Sequence, residues 1–205
     1  RYRENIKAAT PSGMFYDRDI KGLWVSADGV VYQDFDSNKH YIQSKDLPKL
    51  STFYCGVDWG YEHWGSIVVI GETDDGTAYL IEEHAKQHEE IDYWVDIAKE
   101  IQERYGSRVP FYCDSARPEH VDRFKREHIE AFNADKARLT GVEAVARGFK
   151  KDKLFICRDK VEKFPNEIYQ YVWDEKKGEP IKLFDDVLDS LRYAIYSNEV
   201  RNGKT

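Results

Sequence analysis

"FYCGVDWGYEHWGSIVVIGET", residues 53–73, decides the fold. An apolar run ends on an acid, Asp58. A loop rich in aromatics and glycine follows, and a second apolar run begins near Gly65. Aspartate is a poor strand residue, so its place at the end of a buried run needs a reason. Working outward, "TAYLIEEH" (77–84) reads as a third strand, set off from the second by the turn signal "DDG" (74–76). Three strands with such short connections predict an antiparallel meander.

Beyond the meander the period changes. In "EEIDYWVDIAKEIQERYG" (89–106), Ile91, Trp94, Val95, Ile97, Ala98 and Ile101 fall at helical spacing, and Gly106 is a stop signal. "VPFYCD" (109–114) predicts a short buried strand. "RPEHVDRFKREH" (117–128) predicts a helix with Pro118 in its first turn. "IEAFNA" (129–134) reads as a strand, "TGVEAVARGFK" (140–150) as a helix and "KLFIC" (153–157) as strand-like. "VEKFPNEIYQYVW" (161–173) is helical with a break near Pro165, and "DEKKGEPIKLF" (174–184) is a turn or ribbon. "DDVLDSLRYAIYSNEV" (185–200) is an amphipathic helix with Val187, Leu188, Leu191, Ala194 and Ile195 on one face. The fold class is therefore α/β: a mixed sheet, an antiparallel meander plus parallel strands, flanked by helices. Upstream, "GLWVSADGVVYQDF" (22–35) suggests a hairpin around "ADG", and "DLPKLS" (46–51) a linker. Residues 1–51 read as an N-terminal connecting segment and 52–205 as the main domain.

The chain has 205 residues, 34% charged and 41% hydrophobic, a soluble globular balance. No apolar run approaches the roughly 20 residues of a membrane span. The opening "RYRENIKAAT" has no apolar signal core and no initiator Met, which suggests a piece of a longer protein. Cys55, Cys113 and Cys157 each sit inside an apolar run, without C-x-x-C spacing, and read as reduced, buried thiols. The formal net charge of −7 argues against an obligate, tight nucleic-acid binder. Local basic stretches (Arg123/Lys125/Arg126, Lys136/Arg138, Lys150/Lys151/Lys153) fit either transient phosphate contact or plain solvated helix faces. The tail "RNGKT" is not a phosphate loop, because Asn198 stands where that motif needs glycine.

Three aspartates share an unusual placement. Asp58 ends the first strand, Asp114 ends the fourth, and Asp189 lies beside the apolar face of the last helix with Asp186 three residues before it. If the first and fourth strands are neighbours, the last helix can lay Asp189 across their ends. Converging carboxylates repel one another and stay ionised only with positive charge between them. Oxygen-only ligands suit Mg²⁺ or Mn²⁺, and two such ions support phosphodiester hydrolysis. Each acid also has a plainer reading: Asp58 opening a turn before Gly60, Asp114 capping the next helix, Asp185 or Asp186 capping the last one.

"FYCGVDWGY", "VPFYCDSARPE" and "FDDVLDSLRYAI", in that order and spacing, resemble the nuclease domain of the tailed-phage terminase large subunit. "RDIKGLWVSADGVVYQDFD" and "EIYQYVWDEKKGEPI" extend the resemblance over most of the chain. It implies a ribonuclease H-like fold, shared with retroviral integrases and Holliday-junction resolvases. It also implies an endonuclease that cuts concatemeric double-stranded DNA during packaging in the host cytoplasm. By the same resemblance, the chain's 1–51 segment leads from a packaging ATPase domain absent here. The small terminase subunit and the portal or procapsid are the implied partners. The catalytic acids would be Asp58, Asp114 and Asp189, holding two Mg²⁺ or Mn²⁺ ions, with Asp186 as a further metal ligand. Many relatives read Asn-Asp-His-x-x-Asp-Ala at the last motif. Here Phe184, Asp185, Asp186, Asp189 and Ser190 stand there, so Asp186 replaces a frequent histidine. Arg117, Lys150, Lys151 and His63 are the candidate DNA contacts. A resolvase- or transposase-type nuclease of the same fold and a non-catalytic motor-docking module are the alternatives.

Overall fold

The computed structural model describes residues 29–203. Its elements run α1 (Ser37–His40), β1 (Tyr41–Ile42), β2 (Thr52–Asp58), β3 (Gly65–Glu72), β4 (Ala78–Lys86), α2 (Ile91–Tyr105), β5 (Phe111–Cys113) and α3 (Pro118–Arg126). They continue with β6 (Ala131–Asn133), α4 (Arg138–Lys150), β7 (Leu154–Cys157), α5 (Phe164–Gln170), β8 (Trp173–Asp174), β9 (Glu179–Pro180) and α6 (Asp186–Arg201).

Seven strands form one mixed sheet in the order β1-β7-β4-β3-β2-β5-β6. The expected meander is its centre: β3 pairs antiparallel with both β2 and β4. β5 adds parallel to β2, and β6 parallel to β5. On the other side β7 adds parallel to β4, and β1 parallel to β7. β3 is buried along its whole length, which accounts for the unbroken run "SIVVI" where a half-exposed strand would alternate.

One core cluster holds α4, α5 and α6 against the sheet, through residues such as Tyr54, Tyr112, Val145, Phe149, Leu188 and Leu191. The other holds α2 and α3 through Cys55, Val57, Trp94, Phe111, Cys113 and Phe124. The period of two sorts β2 between them. Cys55 and Val57 face α2, whereas Tyr54, Gly56 and hence Asp58 face α6. The three cysteines are free and buried.

Gly56 sets the depth of α6. A Cβ at that position would stand 1.8 Å from the Ser190 carbonyl oxygen and 3.0 Å from the Ala194 nitrogen. Only glycine lets the helix backbone lie directly on β2. Burying Leu188 and Leu191 there stabilises the crossing by roughly 1.5–3 kcal/mol each.

Residues assigned to the connecting segment also join this core. Val30, Val31, Tyr32 and Phe35 are buried in the cluster beneath α4 and α5. Val30 forms an antiparallel bridge with Val172. Residues 22–28 of the hairpin read around "ADG" lie outside the described residues. Pro165 does not break a long helix; it falls in the first turn of the short α5, where its missing N–H is harmless. "DEKKGEPI" forms the ribbon β8–β9.

Candidate active site

Asp58 and Asp114 are neighbours because β2 and β5 are. The register pairs Val57 with Cys113, and the Asp114 N–H donates to the Val57 carbonyl at 2.9 Å. Trp59, one residue past Asp58, locks the same edge: its Nε1–H donates to the Asp114 carbonyl at 2.8 Å. From above, α6 brings its first turn over β2 and β3. Two buried serines pin it there. The Ser66 hydroxyl donates to the Asp186 carbonyl at 2.8 Å and pairs with the Ser190 hydroxyl. Ser190, the departure from the alanine of the resembled motif, thus has a structural role.

The N-terminus of α6 is capped from another helix. Asp185 occupies the cap position but its side chain makes no capping bond. Glu167 of α5, 2% exposed, takes that role. Its Oε1 accepts from the Val187 N–H at 2.9 Å and from the Leu188 N–H at 3.0 Å. The expectation of a cap from Asp185 or Asp186 is therefore corrected, and both acids are left free for the cluster. Burial drives the Glu167 carboxyl up to about 8, against the pull of those two N–H donors.

Five carboxylates share this edge. Burial, then Asp189, Asp114, Asp185 and Asp186 in turn, hold the Asp58 carboxyl well above the usual range. Burial first, and Asp185 next, push Asp189 up to about 7, with Arg192 and Arg138 opposing. Asp185 and Asp186 are raised chiefly by burial, with Arg138 and Lys163 respectively as the main opposing charges. Repulsion of this kind is the signature of acids assembled for a cation.

Side-chain cations occupy part of that role. Lys136 Nζ stands 2.7 Å from Asp114 Oδ1, and that oxygen also accepts from the Ala116 N–H at 2.9 Å. The buried Arg192 reaches Asp189 at 3.3 Å, and Lys163 stands 3.9 Å from Asp186. With Asp114 and Asp189 so engaged, no three His, Cys, Asp or Glu side chains among the described residues converge as a ready metal cage. The donor chemistry still fits a hard divalent cation: all-oxygen, carboxylate-rich and short of compensating charge at Asp58.

The remaining expected residues divide. Asp58, Asp114, Asp186 and Asp189 come together. His63 is exposed in the loop after β2, close enough to Asp186 to favour its charged form. Arg117 is exposed before α3 and paired with Glu119. Lys150 and Lys151 end α4, whose first residue, Arg138, is the one that faces Asp185. A helix of 13 residues separates its ends by roughly 18 Å, so both lysines lie at the opposite end of the sheet. Lys151 there lines a hollow with Tyr54, Glu72 and Asn198. Sequence reading missed Lys136, Arg192 and Glu167. The first sits in a basic pair, the second on the polar shoulder of the last helix, and the third carries no local signal.

A central antiparallel meander extended by parallel strands, with acids at the ends of two adjacent strands and a helix crossing them, is the ribonuclease H-like architecture. The terminase RNaseH-like domain matches residues 55–198 of this sequence. The full-length large terminase of a thermophilic bacteriophage is similar at 23% identity over 97% of this chain and 52% of its own, with a TM-score of 0.74. The large terminase nuclease domain of bacteriophage SPP1 with bound Mn is 18% identical over 82% of this chain and 99% of its own, TM-score 0.64. The large terminase nuclease of thermophilic phage G20c with bound magnesium is 12% identical over 82% of this chain and 97% of its own, TM-score 0.65. At these identities the likeness shows a shared fold, and this chain spans about half the length of the first of the three. No curated protein matches the sequence. The chain belongs to the terminase RNaseH-like domain family. No described helix is long and apolar enough to cross a membrane.

Proposed function

We propose that this chain is a divalent-metal-dependent endonuclease that cuts concatemeric double-stranded viral DNA during genome packaging, with little sequence preference. The observation that carries this reading is the gathering of Asp58, Asp114, Asp185, Asp186 and Asp189 at one sheet edge, with Asp58 raised by burial and by the other four. Asp58 lies between Asp114 on the neighbouring strand and Asp189 on α6, so it is the carboxylate suited to sharing by two ions. Asp114 and Asp189 would each complete one ion's oxygen shell, with Asp186 or Asp185 at the outer side. Bound Mg²⁺ or Mn²⁺ would activate water and stabilise the leaving oxygen. The chain's own contribution is placement: Gly56 and the Ser66–Ser190 pair fix the height of α6, Glu167 fixes its first turn, and Trp59 fixes Asp114. The bound Mn and magnesium of the SPP1 and G20c nucleases support the choice of metal.

Phosphate contact would come from the cations around the edge, Lys136, Arg138 and Arg117 with His63, and would be salt-dependent. Lys150 and Lys151, at the far end, would meet DNA only if it also tracks along α4. In this reading the chain acts in the host cytoplasm beside an ATPase domain of a longer polypeptide, with a small terminase subunit and a portal as partners. The test is cleavage of supercoiled plasmid. Wild-type protein is expected to nick and linearise it with Mn²⁺ or Mg²⁺ and not with chelator. Asp58→Ala and Asp189→Ala are expected to lose this by at least about a hundred-fold, on the order of 3 kcal/mol. Either variant cutting at the wild-type rate would overturn the assignment.

A further inference from the structure

The loop "WGYEHWG" that follows Asp58 builds more than a connection. Beside the carboxylates lies a hollow of about 410 Å³, walled by Trp59, Tyr61 and Trp94 and rimmed by Arg117, His120 and the Glu89–Glu90 pair. That volume falls within the roughly 300–1,000 Å³ typical of small-ligand pockets. We propose that it receives an unstacked nucleobase of the strand whose phosphate meets the carboxylates, an inference that rests on the nuclease reading above.

The walls are preorganised. The Trp59 indole is tied to the Asp114 carbonyl at 2.8 Å and held edge-on by Phe124 and His120, each at 5.1 Å. Tyr61, 47% exposed, meets the His88 ring edge-on at 5.6 Å, and its carbonyl accepts from the His88 N–H at 2.8 Å. Trp94 is 2% exposed, and its Nε1–H has no hydrogen-bond partner among the described residues. Two glycines make the arrangement possible. A Cβ on Gly60 would meet the backbone of residues 63–65 at 2.7 Å, and one on Gly65 would meet the Trp94 indole at 2.7 Å. The loop is thus folded tightly on itself and onto Trp94.

The charge pattern selects the ligand. Glu89 and Glu90 repel phosphate from one rim, while Arg117 attracts it to the other and disfavours a cationic guest. A neutral aromatic ring attached to a phosphate on the Arg117 side matches both. Bases stack on such walls whatever their sequence, which agrees with a nuclease of low specificity. Trp59 directly follows Asp58, so a base in the hollow would anchor its strand one step from the reacting phosphate.

The experiment compares binding of a fluorescein-labelled thymidine oligonucleotide and an abasic one of equal length by anisotropy, with Ca²⁺ in place of Mn²⁺. Wild-type protein is expected to prefer the base-bearing strand by about five-fold or more. Tyr61→Ala is expected to remove the preference and Tyr61→Phe to keep it. Equal affinity of wild type for the two strands, or full preference in Tyr61→Ala, would overturn the proposal. Plasmid cleavage is measured on the same preparations. A wild-type protein that cuts without preferring bases sinks the hollow and leaves the nuclease reading. One that prefers bases but never cuts sinks the nuclease reading and leaves a base-binding site.

Discussion

Glu167 offers the sharpest test of how the site is held. Its Oε1 accepts from two buried N–H groups, those of Val187 and Leu188. Glu167→Ala leaves both without a partner. Each buried, unsatisfied group costs about 1–3 kcal/mol, so the loss is about 2–6 kcal/mol. For a domain of this size 1 kcal/mol shifts Tm by roughly 2–4 °C, which gives a fall of roughly 5–20 °C. Glu167→Gln should behave differently. Burial pushes the carboxyl up to about 8, so at pH 7 the neutral acid predominates, and an amide oxygen can accept the same two bonds. A cost under about 1 kcal/mol is expected, with metal-dependent cleavage retained. The assay is thermal unfolding of the metal-free protein at pH 7, followed by circular dichroism. Equal losses in the two variants would refute the reasoning. The negative charge, 3.8 Å from Lys163, would then be what matters. No loss in Glu167→Ala would show that the cap does not support α6.

Two further outcomes follow from the crowded acids. Asp58 and Asp189 have raised folded-state values, so the folded, metal-free protein holds protons that the unfolded chain has released. Their contribution to stability is full below the ordinary carboxylate value and declines as pH rises, for Asp189 through about 7. Asp58→Asn should therefore raise metal-free Tm at pH 8 more than at pH 5, by about 1–2 kcal/mol of stability, while abolishing cleavage; a variant less stable than wild type at pH 8 contradicts this. Lys136→Met frees Asp114 from its 2.7 Å cation and should lower the Mn²⁺ concentration giving half-maximal cleavage several-fold, on the order of 1 kcal/mol. An unchanged metal titration would mean that Lys136 does not compete at that carboxylate.

Much of the architecture is readable in the chain. The β2–β3–β4 meander, the strands at 111–113 and 131–133 and the final helix all follow from periods of two and 3.6 and from turn residues. The acids ending two strands, and the one on the last helix, stand out because aspartate fits those places badly. The domain limit at residue 52 rests on "DLPKLS" as a linker, whereas Val30 to Phe35 pack into the core, a contact spaced too far along the chain for any periodicity to reveal. The hollow beside Asp58 is equally hidden. "WGYEHWG" reads as a plain loop, because Trp94 and Arg117, which complete it, come from other elements.

The sequence by itself determined which elements form and which acids are out of place, because both are local properties of side-chain pattern and backbone preference. The tertiary structure decided what those acids face. Register placed Asp58 beside Asp114, Gly56 let α6 descend onto β2, and a glutamate 19 residues upstream of Asp186 took the capping role. Those outcomes depend on distances of a few ångströms between segments far apart in the chain, and no stretch of sequence carries them alone.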